Sequence, residues 1–552
     1  MKILLAACNA KYIHSNPAVY NLRAYADDCR DSVFIKEFTI NQPKDEILKD
    51  IYRSGADVVC FSCYIWNISF VKEIIEDLKK LLPDTAFWAG GPEVSFHGEE
   101  LLRSMPQLTG IMAGEGEETF RELAGYYVKN KGRLEDIRGI LFRQGEEIRN
   151  NGLREPVDLN KIPFVYEHIG EFSNRIIYYE SSRGCPFSCS YCLSSIDRRL
   201  RFRDLVLVKK ELQFFLDHKV PQVKFVDRTF NCRHGHAMEI WKYILEHDNG
   251  VTNFHFEVSA DLFTEEELKL LGQMRPGLVQ LEIGVQSANP QTLKAIRRKT
   301  DLRKLENAVA RIREKENIHQ HLDLIAGLPW EDYESFRRSF DYVYKMRPDQ
   351  LQLGFLKVLK GSSMEMEAKE YGMVFKTREP YEILSTKWLS YEEILKLKMV
   401  ESMVEVYYNS GQFQHTLNWI MRFYEDAFSF FESLGKFYEK KGYGEISHSR
   451  IRRYEILLEF LREETEISEE EASQKMIYDL YLRENLKKRP CFAPDQKAYE
   501  KAVWTYRKEH QVSKTAHIEV FQDGTAVLFD YDRRSPLSHN ALTEKICLSY
   551  DR

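Results

Sequence analysis

An alternation of strand-like apolar runs and helix-like stretches, sustained from residue 2 to residue 357, constrains this chain more than any other feature. A repeated βα unit has one economical solution, a parallel sheet with its faces covered by helices. The first series places strands at 2–8, 33–40, 57–64, 85–89 and 110–113, with helical periodicity over 43–54, 70–82 and again up to about residue 129. Residues 139–149 read as a small hairpin, and 150–163, polar with two prolines, as a linker. A second series has strands at 176–180, 222–227, 253–259, 278–286, 319–325 and 350–357, with helical stretches between them. Six strands fall short of the eight of a closed barrel.

Beyond residue 361 the pattern turns helical and aromatic, over 391–408, 413–435 and 450–462. Segments 517–521 and 525–531 flank a turn at Gln522-Asp523-Gly524 and read as a terminal hairpin. The expected fold class is therefore α/β in three parts. These are a doubly wound, Rossmann-like parallel sheet in 1–165, a partial six-stranded (β/α)6 barrel in 166–370, and a mainly helical domain with a terminal β-hairpin in 371–552. A net charge of −6 makes no whole-chain electrostatic case for nucleic acid. Charges interrupt every apolar run before membrane length, and the short run Met1-Lys2-Ile3-Leu4-Leu5-Ala6-Ala7-Cys8 reads as a buried first strand rather than a signal peptide. A cytoplasmic location with no membrane partner is the expectation.

The chemistry-bearing segment is Gly184-Cys185-Pro186-Phe187-Ser188-Cys189-Ser190-Tyr191-Cys192, a loop just after the first strand of the second series. Open α/β sheets carry their sites at such strand ends. Three thiolates at this spacing suit three irons of a [4Fe–4S] cube, and no fourth cysteine follows until Cys232, so one iron is left open to another ligand. Zinc is the first alternative: it wants four ligands, commonly as two pairs, and here Cys232 or His234 would have to serve as the fourth. A redox pair at Cys189 and Cys192 is the second. Neither accounts for a third cysteine ahead of that pair. The ten cysteines are otherwise scattered, which argues for a reducing compartment and against a disulfide framework.

A CxxxCxxC loop with an aromatic before its last cysteine resembles the signature of the radical S-adenosylmethionine superfamily. Three downstream segments extend the resemblance: Phe225-Val226-Asp227-Arg228-Thr229-Phe230, Leu281-Glu282-Ile283-Gly284-Val285-Gln286-Ser287 followed by Ala295-Ile296-Arg297-Arg298, and Asp323-Leu324-Ile325-Ala326-Gly327-Leu328-Pro329. It implies a [4Fe–4S] cluster on Cys185, Cys189 and Cys192, with S-adenosylmethionine chelating the open iron and cleaved to a 5′-deoxyadenosyl radical. By matching positions it assigns Glu257, Gln286, Arg298 and Asp323 to S-adenosylmethionine. Arg298 has the fork to hold a methionine carboxylate, though Arg297 and Lys299 flank it. The family's usual GGE-like segment is replaced by Asp227-Arg228-Thr229, which leaves the contact to the methionine amine open.

The doubly wound domain in front resembles the cobalamin-binding domain of cobalamin-dependent members of this superfamily. The matching features are Ala89-Gly90-Gly91-Pro92-Glu93-Val94-Ser95 and Gly114-Glu115-Gly116-Glu117, both at strand ends, where glycine lets backbone approach a bulky ligand. Cobalamin contacts are expected from Ser62, Gly90, Gly91, Glu93 and Gly114. The DxHxxG motif is missing, and His14 stands near its place; no protein imidazole on cobalt is expected. The last region resembles the uncharacterised tail of one subgroup.

The expected activity is a radical methylase acting on an unactivated carbon, with no individual catalytic residue assigned. A small-molecule substrate is expected over RNA, with flavodoxin or ferredoxin as electron donor and a monomeric chain. Three rivals stand beside it: non-methylating rearrangement, cyclisation or oxidation; a tRNA-modifying radical enzyme, which would want a second set of three cysteines in its first domain; and a cobalamin or redox sensor with a relic core. Against the second, strand alternation puts Cys60 and Cys63 on opposite faces.

Overall fold

The computed structural model describes residues 1–548 and divides into two compact units. The first comprises Met1–Gln273, Leu293–Asp301 and Phe355–Lys387, the second Met274–Thr292, Leu302–Gly354 and Trp388–Arg552, of which the last four residues lie outside the described part. The chain thus passes between the units several times, and neither is one continuous stretch.

The first unit opens with a seven-stranded sheet. Strand β1 (Ile3–Asn9) is buried along its whole length, as a central parallel strand covered on both faces must be. Around it run β2 (Val33–Thr39), β3 (Val58–Ser62), β4 (Ala86–Gly90) and β5 (Gly110–Met112), then β6 (Ile140–Gln144) and β7 (Glu147–Asn150), in the order β2-β1-β3-β4-β5-β6-β7. The first five are parallel, and the hairpin β6–β7 adds antiparallel at the β5 edge. Helices α1 (Pro17–Tyr25), α2 (Lys44–Ser54), α3 (Ile68–Leu81) and α4 (Glu117–Lys129) connect the strands. In α3 the buried residues Ile68, Val71, Ile74, Ile75 and Leu78 form one stripe, each worth about 1.5–3 kcal/mol when removed from water. Cys63 packs in one apolar layer and Cys60 in the other, as the alternation requires.

Beside this sheet the same unit carries three parallel strands of the second series, β8 (Ile177–Tyr179), β9 (Gln222–Phe225) and β10 (Asn253–Val258), interleaved with α5 (Leu205–Asp217), α6 (His234–Glu246) and α7 (Glu265–Leu271).

The second unit carries the other three, β11 (Val279–Gln286), β12 (His319–Ala326) and β13 (Gln350–Phe355), with α8 (Leu302–Arg313) and α9 (Tyr333–Lys345) between them. Strands β11 and β12 are parallel, with an irregularity between Gly284 and Gln286. Six strands of this series are present, as the spacing predicts.

The remainder of the second unit is mainly helical. It consists of α10 (Tyr391–Met403) running into a π-helical turn at Val404–Asn409, then α11 (Gln414–Ile420), α12 (Ala427–Lys441), α13 (Arg450–Glu464), α14 (Glu469–Arg483) and α15 (Glu500–Glu509). The helix expected over 413–435 is in fact two. Asp426 breaks it by capping α12, its side chain accepting from the Ser429 amide. The expected terminal hairpin gains a strand: β14 (His517–Val520), β15 (Ala526–Arg534) and β16 (Ala541–Ile546) form an antiparallel sheet with β15 in the middle.

Candidate functional site

The cysteine loop is shaped by its backbone before its sulfurs. Gly184 sits at φ +97, and a Cβ there would lie 2.5 Å from the Arg199 carbonyl oxygen, so only glycine lets the chain leave β8 this way. The Cys185 amide donates to the Asp197 carbonyl, the Ser190 amide to Ile296, and the Met364 amide to the Ser190 carbonyl. The loop is therefore clasped by segments 293–301 and 355–387, far away in sequence. Cys185 and Cys189 are buried and Cys192 is half-buried. Burial pushes the Cys185 thiol up, and its neighbours Cys189 and Cys192 add to that. Among the described residues no three His, Cys, Asp or Glu side chains are grouped as ligands of a single ion.

Arg298 belongs to this site and Arg297 does not. Arg298 is half-buried with its Nη1 4.0 Å from Cys189 Sγ and 3.4 Å from the Tyr191 hydroxyl, while Arg297 is exposed and pairs with Glu367. Glu257, near the end of β10, is half-buried in the same unit. Gln286 and Asp323 lie in the second unit on the adjacent strands β11 and β12, Gln286 pairing in register with Leu324 and Asp323 with Gly284. His321 Nε2 stands 3.1 Å from Asp323 Oδ1. Gln286 has two marks of a ligand contact. Its backbone is left-handed at φ +70, and its side-chain Oε1 is buried with no hydrogen-bond partner, an acceptor waiting for a donor. Such an acceptor fits S-adenosylmethionine, whose ribose hydroxyls and amine supply donors.

At the place left open by the missing GGE-like segment, Asp227 is fully buried and its carboxylate is spent inward. It accepts from the Ser181 hydroxyl at 2.6 Å and from the amides of Ser181 and Ser182 at 3.0 and 2.6 Å. Burial pushes its carboxyl up to about 7, against the pull of those donors. Thr229 comes nearer to the cluster loop, its hydroxyl 3.8 Å from Cys185 Sγ.

The second cleft lies along the strand ends of the seven-stranded sheet and measures about 450 Å³. Ser62, Gly90, Gly91 and Gly114 line it, as expected, together with Tyr64, Gly116, Glu115 and Glu117. Gly91 is required by geometry: at φ +113 a Cβ would lie 2.5 Å from the Cys63 carbonyl oxygen. Ser62 Oγ accepts from Asn16 Nδ2 at 2.9 Å, which leaves the Ser62 proton available to an acceptor in the cleft. A wall of glycine backbone with a hydroxyl donor fits the broad, amide-rimmed corrin. Glu93, expected on this wall, faces elsewhere. Its buried carboxylate accepts from the Tyr381 hydroxyl at 2.9 Å and lies 3.9 Å from Lys360 Nζ. His14 is also turned away, its Nδ1 2.6 Å from the Tyr178 hydroxyl.

Arg183, Leu193 and Ser194, which flank the three cysteines, also line this cleft. Arg183 Nη2 donates to Glu117 at 2.9 Å and to Glu180 at 2.7 Å, and its Nη1 lies 3.5 Å from Glu115. Arg201 adds a second guanidinium on Glu115. The sequence reading passed over Arg183. The one available signal was a charge wedged between a strand end and the first cysteine.

The chain carries a radical S-adenosylmethionine core behind a cobalamin-binding domain. Residues 3–124 match the B12 binding domain and residues 179–343 the radical SAM superfamily. The cofactors of the chain are accordingly a [4Fe–4S] cluster, S-adenosylmethionine and cobalamin. Within that class the chain is marked by its third domain, residues 369–529, which matches a protein of unknown function, DUF4080. It is 26% identical over 343 residues to the cobalamin-dependent radical SAM methyltransferase TokK of Streptomyces tokunonensis, covering 57% of this chain and 49% of that one. It is 25% identical over 369 residues to the uncharacterised methyltransferase PH0819 of Pyrococcus horikoshii, covering 64% and 77%. The chain thus spans about half the length of TokK and three quarters of PH0819. The solved structure of the cobalamin-dependent S-adenosylmethionine radical enzyme OxsB, with aqua-cobalamin and S-adenosylmethionine bound, superposes with a TM-score of 0.61 at 15% identity over 95% of this chain and 82% of that one. That likeness establishes the fold. No helix of the described residues is long and apolar enough to cross a membrane.

Proposed function

We propose that this chain is a cobalamin-dependent radical methylase that alkylates an unactivated carbon of a small molecule. The observation that carries the reading is the shared wall. Arg183, Leu193 and Ser194 of the cluster segment line the glycine-edged cleft, so that cleft abuts the cysteine loop. When bound, the cofactors supply a hydrogen-abstracting 5′-deoxyadenosyl group and a transferable methyl group.

The chain's own residues hold and orient. Cys185, Cys189 and Cys192 anchor three irons. Arg298 takes the methionine carboxylate, and Gln286, Glu257 and Asp323 take hydroxyls and amine. Ser62, Gly90, Gly91 and Gly114 seat the corrin. Two relatives with methyltransferase in their names support the methyl-transfer half of the reading. An external low-potential donor of the flavodoxin or ferredoxin kind would supply the electron.

The test is anaerobic reconstitution followed by turnover with reductant. About four irons per chain, one cobalamin and release of 5′-deoxyadenosine are expected. Comparison of metabolites between a deletion strain and its parent then supplies candidate substrates. With the true substrate, S-adenosylhomocysteine should accumulate beside 5′-deoxyadenosine, and its absence would replace methylation with rearrangement, cyclisation or oxidation.

A further inference from the structure

We infer that Arg183 is a positioning residue that registers the cluster loop against the cobalamin cleft, so that filling the cleft alters the cluster. The inference rests on the proposed function for its two cofactors and goes beyond it in naming the residue that joins their sites.

Three observations converge on Arg183. Its guanidinium is half-buried and shared among three carboxylates from two different parts of the first unit. Glu180 stands at the end of β8, while Glu115 and Glu117 lie where α4 begins. It also lines the cleft, as do Glu115 and Glu117. Finally, the chain from Arg183 to Cys185 has little slack. Ser182 is fixed by its amide on Asp227, Gly184 passes too close to the Arg199 carbonyl for any side chain, and the Cys185 amide is tied to Asp197. The Arg183 ion pairs and the first cluster cysteine therefore share one short, tied stretch of backbone.

The choice of residue type fits this role better than a stabilising one. Burying ionised groups costs desolvation that their mutual attraction barely offsets, and apolar side chains would fill the same space at lower cost. What an arginine adds is a planar fork with fixed donor directions, which sets register. A ligand in the cleft lies against Glu117 and Arg183 and changes the screening and hydrogen bonding of the pair.

The experiment reads the cluster, not turnover. Wild type, Glu117→Gln and Arg183→Lys are reconstituted, and iron and cobalamin per chain are counted. Electron paramagnetic resonance of the dithionite-reduced cluster is then recorded with and without hydroxocobalamin. In the wild type, hydroxocobalamin should shift the g values of the reduced cluster. In Glu117→Gln, which keeps the side-chain shape, both cofactors should still load while the shift is lost. Arg183→Lys should lose the shift as well. An unchanged shift in both variants, or no shift in a wild type that holds both cofactors, overturns the inference. A wild type that loads iron but binds no cobalamin overturns the proposed function at its first domain, and this inference with it.

Discussion

Arg297 and Arg298 are neighbours with different surroundings, one in solvent beside Glu367 and one half-buried against Cys189 and Tyr191. The left-handed backbone at Arg297, φ +56, turns the chain between them. Arg298→Met is expected to keep the iron and to weaken S-adenosylmethionine binding by about 10- to 100-fold, the value of one charge-assisted pair. Equilibrium dialysis on the reconstituted protein measures it, and unchanged affinity would remove Arg298 from the site. Gly91 makes a second prediction. Gly91→Ala forces a Cβ against the Cys63 carbonyl at a left-handed φ, so a loss of about 1–3 kcal/mol and of cobalamin binding is expected. Gly125→Ala, in the interior of α4 with open space around it, should instead stabilise by about 0.5–1 kcal/mol. Paired denaturant titrations check both. Much of this was legible in the sequence. The cysteine spacing named the cluster, and glycines at strand ends marked the cleft. The sequence could not say which arginine turns inward, nor that Glu93 would be claimed by Tyr381, because both depend on segments folded in from far downstream.

At the scale of elements, burial patterns were readable where one face is apolar. The stripe of α3 and the run of β1 stand in the sequence as they stand in the structure. The breaks were less visible. The division between α11 and α12 depends on a single capping aspartate, and β16 buries only its two end residues, so its alternation carries no core signal. α14 shows how elements are locked together. Its Asp479 accepts from the amides of His415 and Thr416 and from the Thr416 hydroxyl, closing the first turn of α11. Asp479→Ala leaves those donors unpaired and should cost about 2–4 kcal/mol. Burial pushes the Asp479 carboxyl up to about 7, while its three hydrogen bonds pull it down. The folded protein therefore keeps a proton that the unfolded chain gives up near pH 4, at about the ordinary aspartate value. The stability owed to this shift is present in full below about pH 4 and is lost as pH rises toward about 7. Asp479→Asn should flatten that slope in urea titrations run across the same range. An identical slope in the variant would assign it to another group.

For the whole molecule, cofactor binding and folding are one equilibrium. Hydroxocobalamin at about one hundred times its dissociation constant should stabilise the first unit by about 2.7 kcal/mol, read as an upward shift of its unfolding midpoint. No shift in the wild type would mean that hydroxocobalamin does not bind the folded chain. The sequence places domains at 1–165, 166–370 and 371–552, and the two compact units are each built from several separate stretches of that chain. Linear composition could not show this, because segments 293–301 and 355–387 look like ordinary parts of the core and its linker. Their placement appears only through contacts such as Ser190 to Ile296 and Met364 to Ser190.

That clasp on Ser190 has a consequence for biogenesis. A ribosome that has just released the three cysteines has not yet made Ile296, Arg298 or Met364, so the nascent loop lacks the segments that hold its backbone. Its thiols then face the cell without their final shelter while the rest of the first unit is translated. Cluster insertion therefore belongs after synthesis has passed Lys387, and a chain stalled before that point should emerge free of iron.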